Sequence, residues 1–287
     1  MSLYKQISTH FPNNSAIEAC AQIVDCNLGT SRVPGEVDPL RIAKTLGIPV
    51  CFRRDCAFEG MLKRNANGLA EIVVREGQNS NRERFTIAHE LGHYLIQQVV
   101  HSQSDRPVYR GVSESKGEVR EEEYFANLLA AEILLPFSWM KKSIDAADSI
   151  LDLIKSICKA FAVSKIMASR RVADVSGKNL ITLSIVPSRF SKLNSAAVID
   201  NAMFVTSGSK TLYARERTNF CEPLPFSALL NKKTNRANID IDCPKGLVSS
   251  IYETEYRNTP VPHLMAATLI RQWPTTNQAY IIQRAAE

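Results

Sequence analysis

At 287 residues, 45% of them hydrophobic and 22% charged, the chain can bury a sizeable core and has room for about two domains. Its seven cysteines, at positions 20, 26, 51, 56, 158, 221 and 243, show no C-x-x-C spacing and are odd in number, which speaks against a disulfide framework and for reduced thiols. The N-terminus lacks a basic segment leading into an apolar run, and no stretch nears the roughly eighteen apolar residues of a membrane span, so a soluble cytoplasmic protein without a membrane partner is expected.

The formal charge of +6 suits an acidic or nucleic-acid partner no better than it suits ordinary surface charge. In chain order, Ser15 to Cys26 reads as the first helix. Asp38 to Leu46 is a second, with Asp38 as N-cap, Pro39 at the first position and Gly47 after the end. Three short β-prone runs follow, Pro49 to Arg53, Glu59 to Lys63 and Leu69 to Val74, with a turn at Asn65 to Gly68. Packing a core is the usual role of such strands, but an edge strand can also pair with an extended peptide, and Glu71 to Val74 is the candidate edge.

The run FTIAHELGHYLI then places His89 and His93 four apart, on one face of a helix, where both imidazoles can point at one ion. Glu90 sits beside them, placed to act on a water rather than to ligate. This is the arrangement of a zinc-dependent peptidase. Phe85, Ala88, Leu91 and Leu95 form the apolar stripe of the same helix, which leaves two His and one Glu on a neighbouring face where burial without partners is costly. Gly92, between the two His, either leaves space at the site or lets another helix approach.

A catalytic zinc takes three protein ligands, so a third is needed. The segment EEEYFANLLAAEILLP supplies it: Tyr124, Leu128, Ala131 and Leu135 repeat at helical spacing, the acids fall in the first turn, and Pro136 marks the stop. Glu123 is favoured because Asn127, four residues on, could hold a ligand His in place; Glu121 and Glu122 are alternatives, and His101 on the intervening loop is a rival. That loop, Gln98 to Arg120, is polar and without periodicity, and fits a lid or a simple link.

From Ser149 to Gly177 the pattern reads as two short amphipathic helices around Ala162-Val163, with Ser164 as N-cap of the second. The pair has the look of a helix-turn-helix. Lys165, Arg170 and Arg171 could meet DNA phosphates, although Ile150, Leu153, Ile154, Ile157, Phe161, Ile166 and Val172 are enough for a purely packing role. Beyond Gly177 the chain is β-rich: Leu180 to Val186, Val198 to Val205, Thr211 to Arg215 and a run near Asn238 to Ile241 read as strands, Ser207-Gly208-Ser209 as a hairpin turn, and His263 to Gln272 as a helix.

FTIAHELGHYL preceded by Arg82 and Arg84, then E-x-x-x-AN-x-x-AAE-x-LLP from Glu123 to Pro136, resembles the ImmA/IrrE-type metallopeptidases, bacterial enzymes that cleave helix-turn-helix repressors. The likeness spans roughly Ala16 to Ser176. Position by position it implies His89, His93 and Glu123 as zinc ligands and Glu90 as general base. Where the family often has a second Glu, just before the Ala-Asn pair, this chain has Phe125, which leaves Glu123 as the matching ligand. It further implies a protein substrate, an F-x-V-S helical segment after the protease core, and, in some members, a GAF-like sensor in the place of the β-rich tail.

The expectation is therefore an α+β protein with a zincin-like peptidase domain at 1–145, a helix-turn-helix-like segment at 146–177 and a β-rich C-terminal domain at 178–287. The ion is Zn2+, with Mn2+ as the alternative. Competing readings are a metal-dependent regulator that binds DNA or protein without turnover, and a partner protein whose binding of a repressor matters more than cutting. Intact Glu90 favours the peptidase, since a merely structural zinc has no need of a base.

Overall fold

The computed structural model describes residues 2–29, 37–64, 68–101, 116–187, 197–205, 211–213, 219–220, 236–243, 246–258 and 262–270. The chain is of mixed α+β architecture. It divides into two compact units, Met1–Lys142 with Ile157–Ala168, and Ser143–Ser156 with Ser169–Glu287.

The first unit opens with α1 (Leu3–His10), α2 (Ala16–Leu28) and α3 (Pro39–Thr45). Ser15 and Glu18 close a capping box at α2: the Glu18 amide donates to Ser15 Oγ at 3.3 Å, and Glu18 Oε2 accepts from the Ser15 amide at 2.9 Å. At α3, Asp38 Oδ1 accepts from the Leu40 amide at 3.0 Å, as its N-cap position demands. α1, with only Ile7 buried, carries too weak an apolar face to be read from sequence.

Strands β1 (Val50–Arg53), β2 (Gly60–Arg64) and β3 (Ala70–Arg75) form a sheet of order β1-β3-β2, with β1 parallel and β2 antiparallel to β3. The segment Glu71 to Val74 is thus the centre of the sheet and not its edge, and Ile72, Val73 and Val74 are all buried. The edge beside the long helix is β2.

That helix, α4 (Ser80–His101), packs on β2, β3, α3 and α5 (Lys116–Leu134). Both helices extend into the region expected to be loop, since α4 runs on through His101 and α5 begins at Lys116. The three acids at 121–123 consequently lie inside α5 rather than in its first turn. Of the expected stripe, Leu128 and Leu135 are buried while Tyr124 and Ala131 are half-buried, and Phe125, Ala126, Leu129, Ala130 and Ile133 join the buried face. α6 (Phe137–Asp145) follows Pro136 directly, with the Phe137 amide bonded to the buried Glu132 carboxylate at 3.1 Å.

α7 (Ile150–Phe161) and α8 (Lys165–Ser176) flank Ala162, which takes φ 50°, and Ser164 Oγ accepts from the Met167 amide at 3.2 Å. The boundary between the two units falls within both helices. Arg171, expected among candidate phosphate contacts, is 1% exposed and serves the interior; Lys165 and Arg170 are exposed.

In the second unit, β4 (Asn179–Pro187), β5 (Ala197–Val205), β6 (Thr211–Tyr213), β7 (Asn219–Phe220), β8 (Arg236–Cys243), β9 (Gly246–Asn258) and β10 (Pro262–Ile270) make an antiparallel sheet of order β6-β5-β4-β10-β9-β8-β7. β7 approaches β5, so the sheet curls. The expected helix at His263 to Gln272 is instead β10, held between β4 and β9 with Ala266 and Ala267 fully buried. The turn expected at Ser207 to Ser209 lies outside the described residues. On β9, Glu253 Oε2 accepts from Ser149 Oγ at 3.1 Å and from the Ile150 and Leu151 amides at 2.6 and 3.2 Å, capping α7 with a carboxylate. Among the described residues no helix is long and apolar enough to cross a membrane.

Candidate metal centre

Helical spacing on α4 puts His89 and His93 one turn apart, their rings edge to face with centroids 4.7 Å apart. Their Nε2 atoms stand 3.1 Å from each other. Glu123 reaches in from α5, with Oε2 3.2 Å from His89 Nε2 and Oε1 3.3 Å from His93 Nε2. One ligand atom from each of the three lies within 4.8 Å of the others, so the group could hold a metal ion.

The donor set itself asks for a cation. His93 Nδ1 lies 2.8 Å from Glu122 Oε1, and an ionised carboxylate can only accept, so Nδ1 carries the proton. In a neutral His93 ring, Nε2 is then a lone pair, and it faces a second imidazole nitrogen and a carboxylate. A cation placed where the two Nε2 atoms and the Glu123 carboxylate meet would satisfy all three groups at once. Hydrogen bonds from His89 first and His93 second hold the Glu123 carboxyl well below the usual carboxylate range, against partial burial. The Nε2–Nε2 spacing of 3.1 Å also lies near the roughly 3.3–3.4 Å that separates two ligands about 2.0–2.1 Å from a tetrahedral ion.

Glu90 is 4% exposed, and its Oε2 accepts from the Leu62 amide of β2 at 2.7 Å. Gly60, two residues back on β2, makes that approach feasible, because a Cβ there would sit 2.4 Å from Thr86 Cγ2 and 3.0 Å from Glu90 Oε1. Gln78 clamps the same corner, donating to Glu59 O and Arg75 O at 3.0 and 3.1 Å and accepting from Thr86 Oγ1 at 3.2 Å.

Other expected residues take different places. Asn127 donates to the Glu123 carbonyl on its own helix at 2.7 Å and does not hold a His. Glu121 accepts the Tyr4 amide of α1 at 3.4 Å. His101 ends α4, two turns past His93. Gly92 serves helix packing, since a Cβ there would stand 2.7 Å from the Ala126 carbonyl oxygen on α5. Phe125 is 1% exposed and packs with Tyr124 and Tyr4 at ring-centroid distances of 5.4 and 6.2 Å. Sequence reading did not find Gly60 and Leu62, whose part depends on strand pairing that no local signal carries.

The fold and site define an α+β protein with an HExxH helix whose two His, joined by a Glu from the next helix, could hold a metal ion. Residues 43–173 match the Peptidase M78 family profile, described as the IrrE N-terminal-like domain. Over this stretch the chain is similar to the ImmA/IrrE-type metallopeptidases, in agreement with its motifs. No curated protein matches the chain significantly. Among solved structures, a "Mycobacterium tuberculosis transcriptional regulator" aligns at 13% identity and a TM-score of 0.44, over 93% of this chain and 80% of that one.

Proposed function

We propose that the chain is a zinc-dependent, site-specific endopeptidase that cleaves a helix-turn-helix repressor in the cytoplasm and thereby regulates gene expression. The observation that carries this reading is the convergence of two imidazole nitrogens, 3.1 Å apart, with the Glu123 carboxylate, whose two oxygens lie 3.2 and 3.3 Å from them, beside a buried glutamate that takes no part in the group. His89, His93 and Glu123 would hold the ion. When bound, it supplies Lewis acidity to water and to the scissile carbonyl. Glu90 is the general base. With Oε2 anchored on the Leu62 amide, its Oε1 accepts a proton from water and returns it to the leaving amine. The outer edge of β2, in place of Glu71 to Val74, is where an extended substrate would pair.

In this reading residues 1–145 form a zincin-like peptidase domain, 146–177 a helix-turn-helix-like segment and 178–287 a target-recognition domain. DNA contact is not required. The buried Arg171 removes one of its three expected contacts.

Elemental analysis of wild type, Glu90→Gln and Glu123→Ala, with each protein incubated with helix-turn-helix repressors encoded nearby, tests the proposal. Wild type should hold one zinc and cut, Glu90→Gln should hold zinc without cutting, and Glu123→Ala should lose the metal. Manganese in place of zinc changes the ion only. Metal without cutting in every form would leave a binding regulator, and metal retained by Glu123→Ala would remove that residue from the ligand set.

A further inference from the structure

Glu121, Glu122 and Glu123 are consecutive, but each helical residue turns by about 100°, so they face three directions. Glu121 meets α1, Glu123 meets the two Nε2 atoms, and Glu122 lies behind His93, on the side of the ring away from the convergence point. His93 is 1% exposed, so its Nδ1 has no bulk water to turn to. The other imidazole is held differently: His89 Nδ1 is buried without a hydrogen-bond partner, and its ring is backed by Phe85 at 6.1 Å.

We propose that Glu122 is a positioning residue for the metal group. By accepting the Nδ1 proton of His93, it fixes the tautomer, the ring plane and the basicity of Nε2, and makes His93 the stronger of the two imidazole arms. The proposal rests on the reading of His89, His93 and Glu123 as a metal site. Without Glu122, a buried N–H loses its acceptor, and the ring is free to take the other tautomer, which aims an N–H at the place where a lone pair is needed.

The test is zinc affinity of the full chain, measured by chelator competition for wild type, Glu122→Ala and Glu122→Gln, with the unfolding midpoint of each metal-free protein recorded alongside. Glu122→Ala should bind zinc roughly 10- to 100-fold more weakly. Glu122→Gln keeps an acceptor oxygen without the charge, and should fall between it and wild type. It also serves if the alanine variant fails to fold. Co2+ loaded into Glu122→Gln should keep the absorption bands of wild type, because the ligand set is unchanged, whereas Glu123→Ala should shift or lose them. Wild-type affinity in Glu122→Ala, or a loss of affinity fully matched by destabilisation of the metal-free protein, overturns the proposal alone. A wild type that binds no divalent metal overturns it together with the metal reading.

Discussion

Gly92→Ala probes the close approach of α4 to the backbone of α5. The added Cβ would stand 2.7 Å from the Ala126 carbonyl oxygen, 3.1 Å from its Cα and 3.3 Å from its carbonyl carbon. All three atoms are backbone, so no side chain can yield, and relief to an ordinary contact of about 3.4 Å or more requires α4 and α5 to part by about 0.7 Å. Overpacking of this kind costs about 1–3 kcal/mol, offset by up to about 1 kcal/mol from the better helix propensity of alanine. A net loss of about 1–2 kcal/mol lowers the melting temperature by roughly 2–8 °C for a protein of this size. The effect on metal should be larger. The two His ride on α4 and Glu123 on α5, and a shift of about 0.7 Å exceeds the roughly 0.2 Å tolerance of metal–ligand distances. Thermal unfolding of the metal-free protein and zinc affinity by chelator competition measure both. A Gly92→Ala protein that melts no lower than wild type and binds zinc equally well would refute the account of Gly92 as the contact that sets the spacing of the two helices.

Gly60→Ala should leave zinc content intact and cut turnover by as much as about 100-fold by displacing Glu90. Adding Thr86→Ser, which removes the methyl lying 2.4 Å from the new Cβ but keeps the hydroxyl on Gln78, should restore part of the rate; equal rates for the single and double variants would point elsewhere. Glu253→Ala strips the cap from the α7 amides and should cost about 1–2 kcal/mol in thermal or denaturant unfolding, with Glu253→Gln losing less because a neutral acceptor remains.

The local signals in the sequence were read well where local chemistry decides. Asp38 and Ser164 cap the helices they were expected to cap, and His89, Glu90 and His93 fall on one helix because spacing alone places them there. What depends on distant partners was not legible. HLMAATLI is rich in helix formers, yet becomes β10 because β4 and β9 bury it on both sides, and tertiary packing overrides propensity. The thirteen-residue β9 went unnoticed, although its Glu253 and Glu255 meet Ile150 and Lys155 of α7. Glu71 to Val74 looked like an edge because sequence gives a strand but not its neighbours. Asn127 sat at the right spacing to steady a ligand, but a side-chain amide can turn to its own helix backbone, and it does.

Arg84 sits on α4 just over one turn before His89 and reaches two remote carbonyls, Val37 at 2.7 Å and Phe161 at 3.3 Å. Val37 precedes the stretch of 43–173 by which the family is recognised, as do Cys20, Ile23 and Val24 of α2, buried in a helix that packs on α5 and α4. A fragment trimmed to the recognised stretch would take the carbonyl from the guanidinium and lay bare the backs of both site-bearing helices. The segment matched by the family profile is therefore shorter than the body that has to fold, and attempts to isolate a minimal folded piece that carries the site should keep the first forty residues attached.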